Sequence, residues 1–294
     1  MPFDVLILSS SDLELQLNPS IGGVIQRLAY IRDDRSIPIL RESRTPLKNA
    51  LEAASFPLVP FVNRIRGGSF AFRGRTVSLK QNMAGDPSPL HGQGWLNPWT
   101  VEKSGEDFAT LSYRHDAGEW PWSYSATQEF TIQGPVLSIG LTCRNEASDP
   151  MPCGLGQHPY FPCSPQTRLD TGVKFAWTID DKVLPVDKVP ATGRYDLADR
   201  HICGQGLDNG FEGWTGRALM TDPDWPFDIE LSSPDARFFQ VYSPASGGLF
   251  VAEPVSHANA AMNAPETDWP MLGFRILEPG EEMRLDMRIE ARAK

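Results

Sequence analysis

Glu282-Met283-Arg284-Leu285-Asp286-Met287-Arg288-Ile289-Glu290 alternates charged and apolar side chains without a break. Successive residues of a strand point to opposite faces, so this stretch predicts a strand with one buried and one solvated face. The same period appears near the start in Leu13, Leu15 and Leu17. Phe130 and Ile132, the turn Gln133-Gly134-Pro135, and Leu137, Ile139 and Leu141 predict two strands joined by a hairpin. Further short strands are predicted over 70–79, 109–114, 227–231, 238–242 and 249–252. Helical signals are sparse. Leu47 to Ser55 predicts about two turns, ended ahead of Pro57 because the residue before a proline avoids the α region. No strand–helix alternation points to a parallel sheet.

The composition agrees. The chain has 294 residues, 40% of them apolar and 22% charged, as in a globular protein. Its 25 Gly and 26 Pro make about 17% of the residues, against roughly 12% on average, and they are dispersed, which predicts many turns. No repeat or shift in composition divides the chain. The expectation is one all-β domain, 1–294, of packed, mainly antiparallel sheets.

A formal charge of −10 repels phosphate backbones and anionic membrane surfaces, so neither nucleic acid nor membrane is expected as a partner. No apolar run approaches the roughly 20 residues of a membrane span. Met1 to Ser10 lacks the basic flank and apolar stretch of a signal peptide. A cytoplasmic protein is expected, with Cys143, Cys153, Cys163 and Cys203 as reduced thiols, since four cysteines without a C-x-x-C pair suggest neither a disulfide scaffold nor a zinc ribbon.

Five stretches place polar side chains among apolar or Gly/Pro neighbours. In Pro60-Phe61-Val62-Asn63-Arg64-Ile65-Arg66-Gly67-Gly68, Arg64 is either a turn-capping arginine or a guanidinium fork for ligand oxygens. Leu90-His91-Gly92-Gln93-Gly94-Trp95 offers a histidine beside an indole. In Gly156-Gln157-His158-Pro159-Tyr160-Phe161, His158 can exchange protons at neutral pH or serve as a core histidine. Leu207-Asp208-Asn209-Gly210-Phe211 reads as a turn. Glu253 ends the apolar run Leu249-Phe250-Val251-Ala252, where a carboxylate must be paired, exposed at a mouth, or functional. A zinc site from His91, His158 and His257 is conceivable, but no two share a close ligand spacing, so no metal is expected. The signatures G-x-S-x-G, P-loop, G-x-G-x-x-G and H-E-x-x-H are all missing.

Taken in order, these stretches resemble the aldose 1-epimerase, or galactose mutarotase, family. Asn63-Arg64-Ile65-Arg66-Gly67-Gly68, followed by Phe70 and Gly74, is similar to its early signature. Leu90-His91-Gly92 with Trp95, His158-Pro159-Tyr160-Phe161, Leu207-Asp208-Asn209 with Phe211, Glu253, and Glu278-Pro279-Gly280-Glu281 are similar to the later ones. The resemblance runs from about residue 20 to the C-terminus. It implies a galactose-mutarotase-like β-supersandwich and a free monosaccharide as substrate, without a cofactor. It implies Glu253 as base on the anomeric hydroxyl and His158 as acid on the ring oxygen. Arg64, His91 and Asp208, with Asn63 and Trp95, are implied to bind the sugar.

The chain also departs from the family pattern. Val255 to Asn263 differs in length and residues from the usual stretch after the glutamate. Gln157 and Cys163 flank the histidine motif where better-known members carry Asn and Leu. Trp120-Pro121-Trp122 reads as core or cleft wall. Three alternatives stay open: a hexose-6-phosphate 1-epimerase using Arg64, Arg66, Arg73 and Arg75; a glycoside hydrolase pairing Asp208 with Glu253; and a non-catalytic sugar-binding or regulatory module. Monomer and homodimer are both compatible with the pattern.

Overall fold

The computed structural model describes residues 5–33 and 35–294. Met1 to Asp4 of the N-terminal stretch, and position 34, lie outside the described residues. Strand Glu282–Ala293 stands in the middle of a nine-stranded antiparallel sheet, between Phe227–Ser232 and Val136–Asn145. Its apolar set Met283, Leu285, Met287, Ile289 and Ala291 is buried, while Arg284 and Arg288 face solvent. Each large side chain so buried contributes about 1.5–3 kcal/mol, so shifting the register by one residue is strongly disfavoured.

The hairpin Tyr124–Gln133/Val136–Asn145 forms as predicted, with Gln133 opposite Val136. The segment 70–79 is itself a hairpin, Ser69–Phe72 with Arg75–Ser78. Arg73 and Gly74 both take positive φ (47° and 77°), the turn geometry whose twist matches that of the flanking strands.

A second, eight-stranded sheet carries Asp208 and Glu253, with His158 on the link between two of its strands. Its order is Pro185–Pro190, Phe175–Ile179, Leu207–Glu212, Phe238–Ser243, Leu249–Val255, Gly156–Gln157 and Pro57–Leu58, with Tyr160–Pro162 also paired to Leu249–Val255. A four-stranded sheet (Leu6–Ser9, Leu13–Asn18, Val24–Arg32, Arg35–Pro38) and two two-stranded ones complete the molecule. Among the described residues there is no α-helix, only three-residue 3-10 turns, and no helix is long and apolar enough to cross a membrane. Trp120 and Trp122 are buried in the main core.

Three local expectations are corrected. Leu47–Ser55 makes one 3-10 turn, Ala50–Glu52, and no α-helix. Ala54 and Ser55 donate their N–H groups to the Ile25 carbonyl, so pairing with the sheet takes the hydrogen bonds that a second helical turn needs. Leu207–Glu212 is a strand, not a turn. Its residues Leu207, Asn209 and Phe211 are buried on one face, and the Asn209 amide donates to the Trp177 carbonyl, so side-chain burial overrides the turn preference of Asp-Asn-Gly. Finally, Cys163 and Cys203 are joined in a disulfide, with Cα atoms 5.7 Å apart, while Cys143 and Cys153 are free and buried. A sequence separation of 40 hid that proximity.

Candidate active site

The eight-stranded sheet separates two environments. One face sends Leu207, Phe211, Phe239, Val241, Phe250 and Ala252 into the main core. The period of two therefore turns Asp208, Gln240, Tyr242 and Glu253 to the other face. Register aligns them: Asp208 is opposite Tyr242, and Gln240 is opposite Glu253. Tyr160 joins the same face opposite Val251. Gly210 leaves room for Gln240, since a Cβ there would meet its Oε1 at 3.1 Å. Gln240 Nε2 donates to Asp208 Oδ1 at 3.0 Å.

His158 reaches the floor of this face from the short link between Gly156–Gln157 and Tyr160–Pro162. Its Nε2 lies 3.4 Å from Glu253 Oε1. Glu253 is only 2% exposed and His158 9%. The imidazole is sandwiched, stacked on Phe56 (centroids 4.4 Å, 16° between planes) with Tyr160 at 4.6 Å on its flank. His158 Nδ1 and Glu253 Oε2 have no hydrogen-bond partner in the protein. Burial pushes the Glu253 carboxyl well above the usual range; nearby Asp208 adds to this and Arg64 opposes it. Burial likewise lowers His158, to about 3, helped by the Arg41 charge. Asp208 is also raised, chiefly by burial.

The opposite wall comes from the segment 63–64 and from His91. Asn63 and His91 both have left-handed backbones (φ 61° and 59°), and each bonds the other: Asn63 N–H donates to His91 Nδ1 at 3.0 Å and His91 N–H to the Asn63 carbonyl at 3.0 Å. With Nδ1 accepting, His91 carries its proton on Nε2. Burial keeps it well below the ordinary histidine range, with the neighbouring His158 and Arg64 acting in the same direction. Arg64 Nε pairs with Asp86 Oδ2 at 2.8 Å, and its Nη1 donates to Asn63 Oδ1 at 3.0 Å.

The stretch after Glu253 holds this wall in place. Asn259 Oδ1 accepts the Arg64 N–H, Asn263 Oδ1 accepts the Arg66 N–H, and His257 Nε2 accepts the Val62 N–H. The divergent residues 254–263 thus position Arg64. His257 Nδ1–H donates to the Ala258 carbonyl, so both ring nitrogens are used and the ring must stay neutral. Its pKa is lowered to about 4 by burial. A lowered folded-state value gives stability that is present above about 6.5 and lost as pH falls through 4, here roughly 3 kcal/mol. Denaturant unfolding at pH 7.0, 5.5 and 4.5 is expected to show a steep loss, flattened in His257→Gln; equal slopes in both proteins would refute this role.

These groups enclose a cavity of about 280 Å³, lined by Asn63, Arg64, His91, His158, Asp208 and Glu253 together with Phe56, Gln240, Tyr242 and Tyr160. Six of the seven sequence candidates meet there. Trp95 does not. It is buried behind Phe56 (centroids 5.5 Å), with its indole N–H on the Leu90 and Gly92 carbonyls. Asp86, Phe56, Gln240 and Tyr242 were missed by the sequence reading. A signal existed for Gln240, an amide inside the apolar run 238–241, but none for Asp86, whose Gly85-Asp86-Pro87 setting reads as a plain turn. Among the described residues, no cluster of three or more His, Cys, Asp or Glu is arranged to hold a metal ion. A larger cavity of about 510 Å³, around Trp269, Phe274 and Arg275, contains no such acid–base pair.

Comparison with known proteins places this architecture. The aldose 1-epimerase family model matches residues 15–290. The uncharacterized protein YphB of Escherichia coli (strain K12) is 31% identical over 296 residues, covering 97% of this chain and 98% of its own. A solved structure from Escherichia coli K12 superposes with a TM-score of 0.88 at 29% identity over 99% of each chain. A galactose mutarotase-like protein from Clostridium acetobutylicum gives 0.84 at 16% identity, over 99% of this chain and 95% of its own, a likeness of fold. A family match of that span leaves little of the sequence outside it, and the chain belongs to the aldose 1-epimerase family.

Proposed function

We propose that this protein is an isomerase that interconverts the α and β anomers of a free aldose. The observation that carries the reading is the buried contact of His158 Nε2 with Glu253 Oε1 at 3.4 Å, each side chain keeping one unpartnered polar atom. The anomeric hydroxyl and the ring oxygen sit on the same carbon, so an acid and a base that act on them must lie close together. Glu253 takes the hydroxyl proton, the C1–O5 bond breaks, and O5 receives a proton from His158. The aldehyde rotates about C1–C2 and recloses with the transfers reversed, so each group serves as both acid and base.

The proton count fits the electrostatics. The pair shares one proton, and burial favours the uncharged arrangement, with Glu253 protonated and His158 neutral. That arrangement is the one ring opening produces. The groups therefore bind the open-chain aldehyde in the state their surroundings prefer, while hydrogen bonds from the sugar support the charged arrangement beforehand. Arg64, held by Asp86, and His91, donating through Nε2, face the cavity as hydroxyl ligands.

Other observations favour this reading over its rivals. Arg66 is tied to the Pro185 carbonyl, Arg73 lies near Glu266 and Glu278, and Arg75 rests over the Trp122 ring. Only Arg64 of that group faces the cavity, which suits a neutral sugar better than a phosphate. Gln240 Nε2 holds Asp208 at 3.0 Å while Glu253 has His158 Nε2 at 3.4 Å, which favours Glu253 with His158 over Glu253 with Asp208 as the working pair. A pure binder has no need of a carboxyl and an imidazole set side by side at 3.4 Å, whereas anomer exchange needs both an acid and a base.

The test is anomer exchange, followed by polarimetry or saturation-transfer NMR on freshly dissolved aldoses. Acceleration over buffer is expected; none across hexoses, pentoses and deoxy sugars would overturn the reading. Asp86→Asn removes the charge that aims Arg64. It is expected to raise KM by about 10-fold or more with a smaller change in kcat, and an unchanged KM would take Arg64 out of the binding role.

A further inference from the structure

Arg41 stands outside the catalytic cavity and outside every stretch that the sequence marks, yet it holds the support of the acid–base pair. Its guanidinium carbon lies over the Tyr160 ring, 3.4 Å from the ring centre. Tyr160 rests on His158 (4.6 Å), His158 on Phe56 (4.4 Å) and Phe56 on Trp95 (5.5 Å). The imidazole is thus the middle member of a chain of five flat groups, with Arg41 at one end. We propose that Arg41 is a positioning residue for proton transfer at His158, acting through the Tyr160 ring. The proposal rests on the anomer-exchange reading above and adds to it a residue that touches no substrate.

Backbone and side chain of Arg41 are both committed to this place. Its backbone N–H donates to the Tyr160 carbonyl at 2.8 Å, while the Tyr160 N–H donates to the Ala54 carbonyl at 2.9 Å. Its side chain donates from Nε to the Ala53 carbonyl at 2.8 Å and from Nη2 to the Leu51 carbonyl. Leu51 and Tyr160 both line the catalytic cavity, so one fork ties a wall residue to the support of His158. A lysine can bring the charge, but neither the flat face nor several donors in a fixed plane. A cation over an aromatic face gains most where water is scarce, and Tyr160 is 8% exposed.

The charge acts on the chemistry as well as on the packing. It opposes a second positive charge on His158. During ring opening His158 passes its proton to O5, and a cation beyond Tyr160 favours that departure. It thereby favours the uncharged arrangement of the pair, the one that receives the open-chain aldehyde. The other titratable or charged groups around the pair are His91 at 5.5 Å from His158, Tyr160, Tyr242, Asp208, and Arg64 with its partner Asp86. All are retained in the variants below, so a displaced pH profile reports Arg41.

The experiment follows kcat and KM for anomer exchange against pH in wild type, Arg41→Lys and Arg41→Gln. Arg41→Lys keeps the charge and loses the flat fork. Its kcat is expected to fall by about 10-fold or more, with KM within about 3-fold and the profile in its wild-type place, because a small displacement of a reacting group is costly. Arg41→Gln loses the charge too, and the pair then holds protons more readily. Both limbs of its profile are expected to move to higher pH by about half a unit or more. The alkaline limb is read where the fold keeps the stability that His257 contributes. Wild-type kcat in Arg41→Lys, an unmoved profile in Arg41→Gln, or an equal shift in both variants overturns the proposal and leaves the anomer-exchange reading standing. Should Arg41→Gln not fold, the kcat and KM of Arg41→Lys decide. Should wild type exchange no sugar, that reading falls, and NMR of isotope-labelled histidine decides the positioning. The rings of Phe56 and Tyr160 set the His158 ring-proton shifts, so displaced shifts in Arg41→Lys support the role and unmoved shifts refute it.

Discussion

Glu253→Gln is expected to lower kcat/KM for anomer exchange by about 10²–10⁴-fold, the usual range for loss of a positioned acid–base group, while sugar affinity stays within about 3-fold. The amide matches the carboxyl in shape and can still accept a hydrogen bond from a sugar hydroxyl, but it cannot carry the proton away. The same change has an opposite effect on stability. A carboxyl raised by burial contributes stability that is fully present below its ordinary value near 4.5 and is lost as pH rises through the raised folded value. Glutamine does not titrate. The variant is therefore expected to gain unfolding free energy relative to wild type as pH increases above 4.5. Stability measured at pH 5 and pH 8 checks this, and polarimetry checks the rate. A variant with near wild-type exchange would remove Glu253 from the chemistry; a variant that is inactive and also unfolded at both pH values would show that the carboxyl supports the fold instead.

The sheets were largely legible in the sequence because burial writes a period into it. Glu282–Ala293 has one face in the core along most of its length, so its alternation alone announces the strand. Glu253 was legible for the inverse reason: it breaks an apolar run, and a carboxylate in such a place must be accounted for. Gln240 breaks the run 238–241 in the same way, and the logic applied to Glu253 extends to it. Asp86 could not be found so. Its significance is a 2.8 Å contact with Arg64, and nothing local marks a turn aspartate as the partner of a distant guanidinium. The bond between Cys163 and Cys203 and the short turn at Ala50–Glu52 were missed for a related reason, since both depend on which segments meet after folding. The divergence at 254–263 was visible, but its purpose was not. Its two asparagines act on the backbone of Arg64 and Arg66, nearly 200 residues earlier in the chain.

His158→Asn is the companion case, with a loss of comparable size expected, about 10²–10⁴-fold in kcat/KM. The more informative result is the double variant. If Glu253 and His158 pass one proton through the sugar, neither transfer succeeds without the other, and removing the second group from an already disabled pair costs little more. Groups that act as a unit show this non-additivity, whereas independent contributors multiply their losses. The geometry predicts the first pattern: Nε2 and Oε1 are 3.4 Å apart, both side chains are buried, and the remaining polar atom of each has no hydrogen-bond partner in the protein. His91 cannot replace His158, because its Nδ1 is occupied by the Asn63 N–H and burial disfavours its protonation. The double variant should therefore retain an exchange rate within about 10-fold of the slower single variant. Losses that multiply to the full product of the two singles would mean that His158 and Glu253 act in separate steps, and the shared-proton account would have to be abandoned.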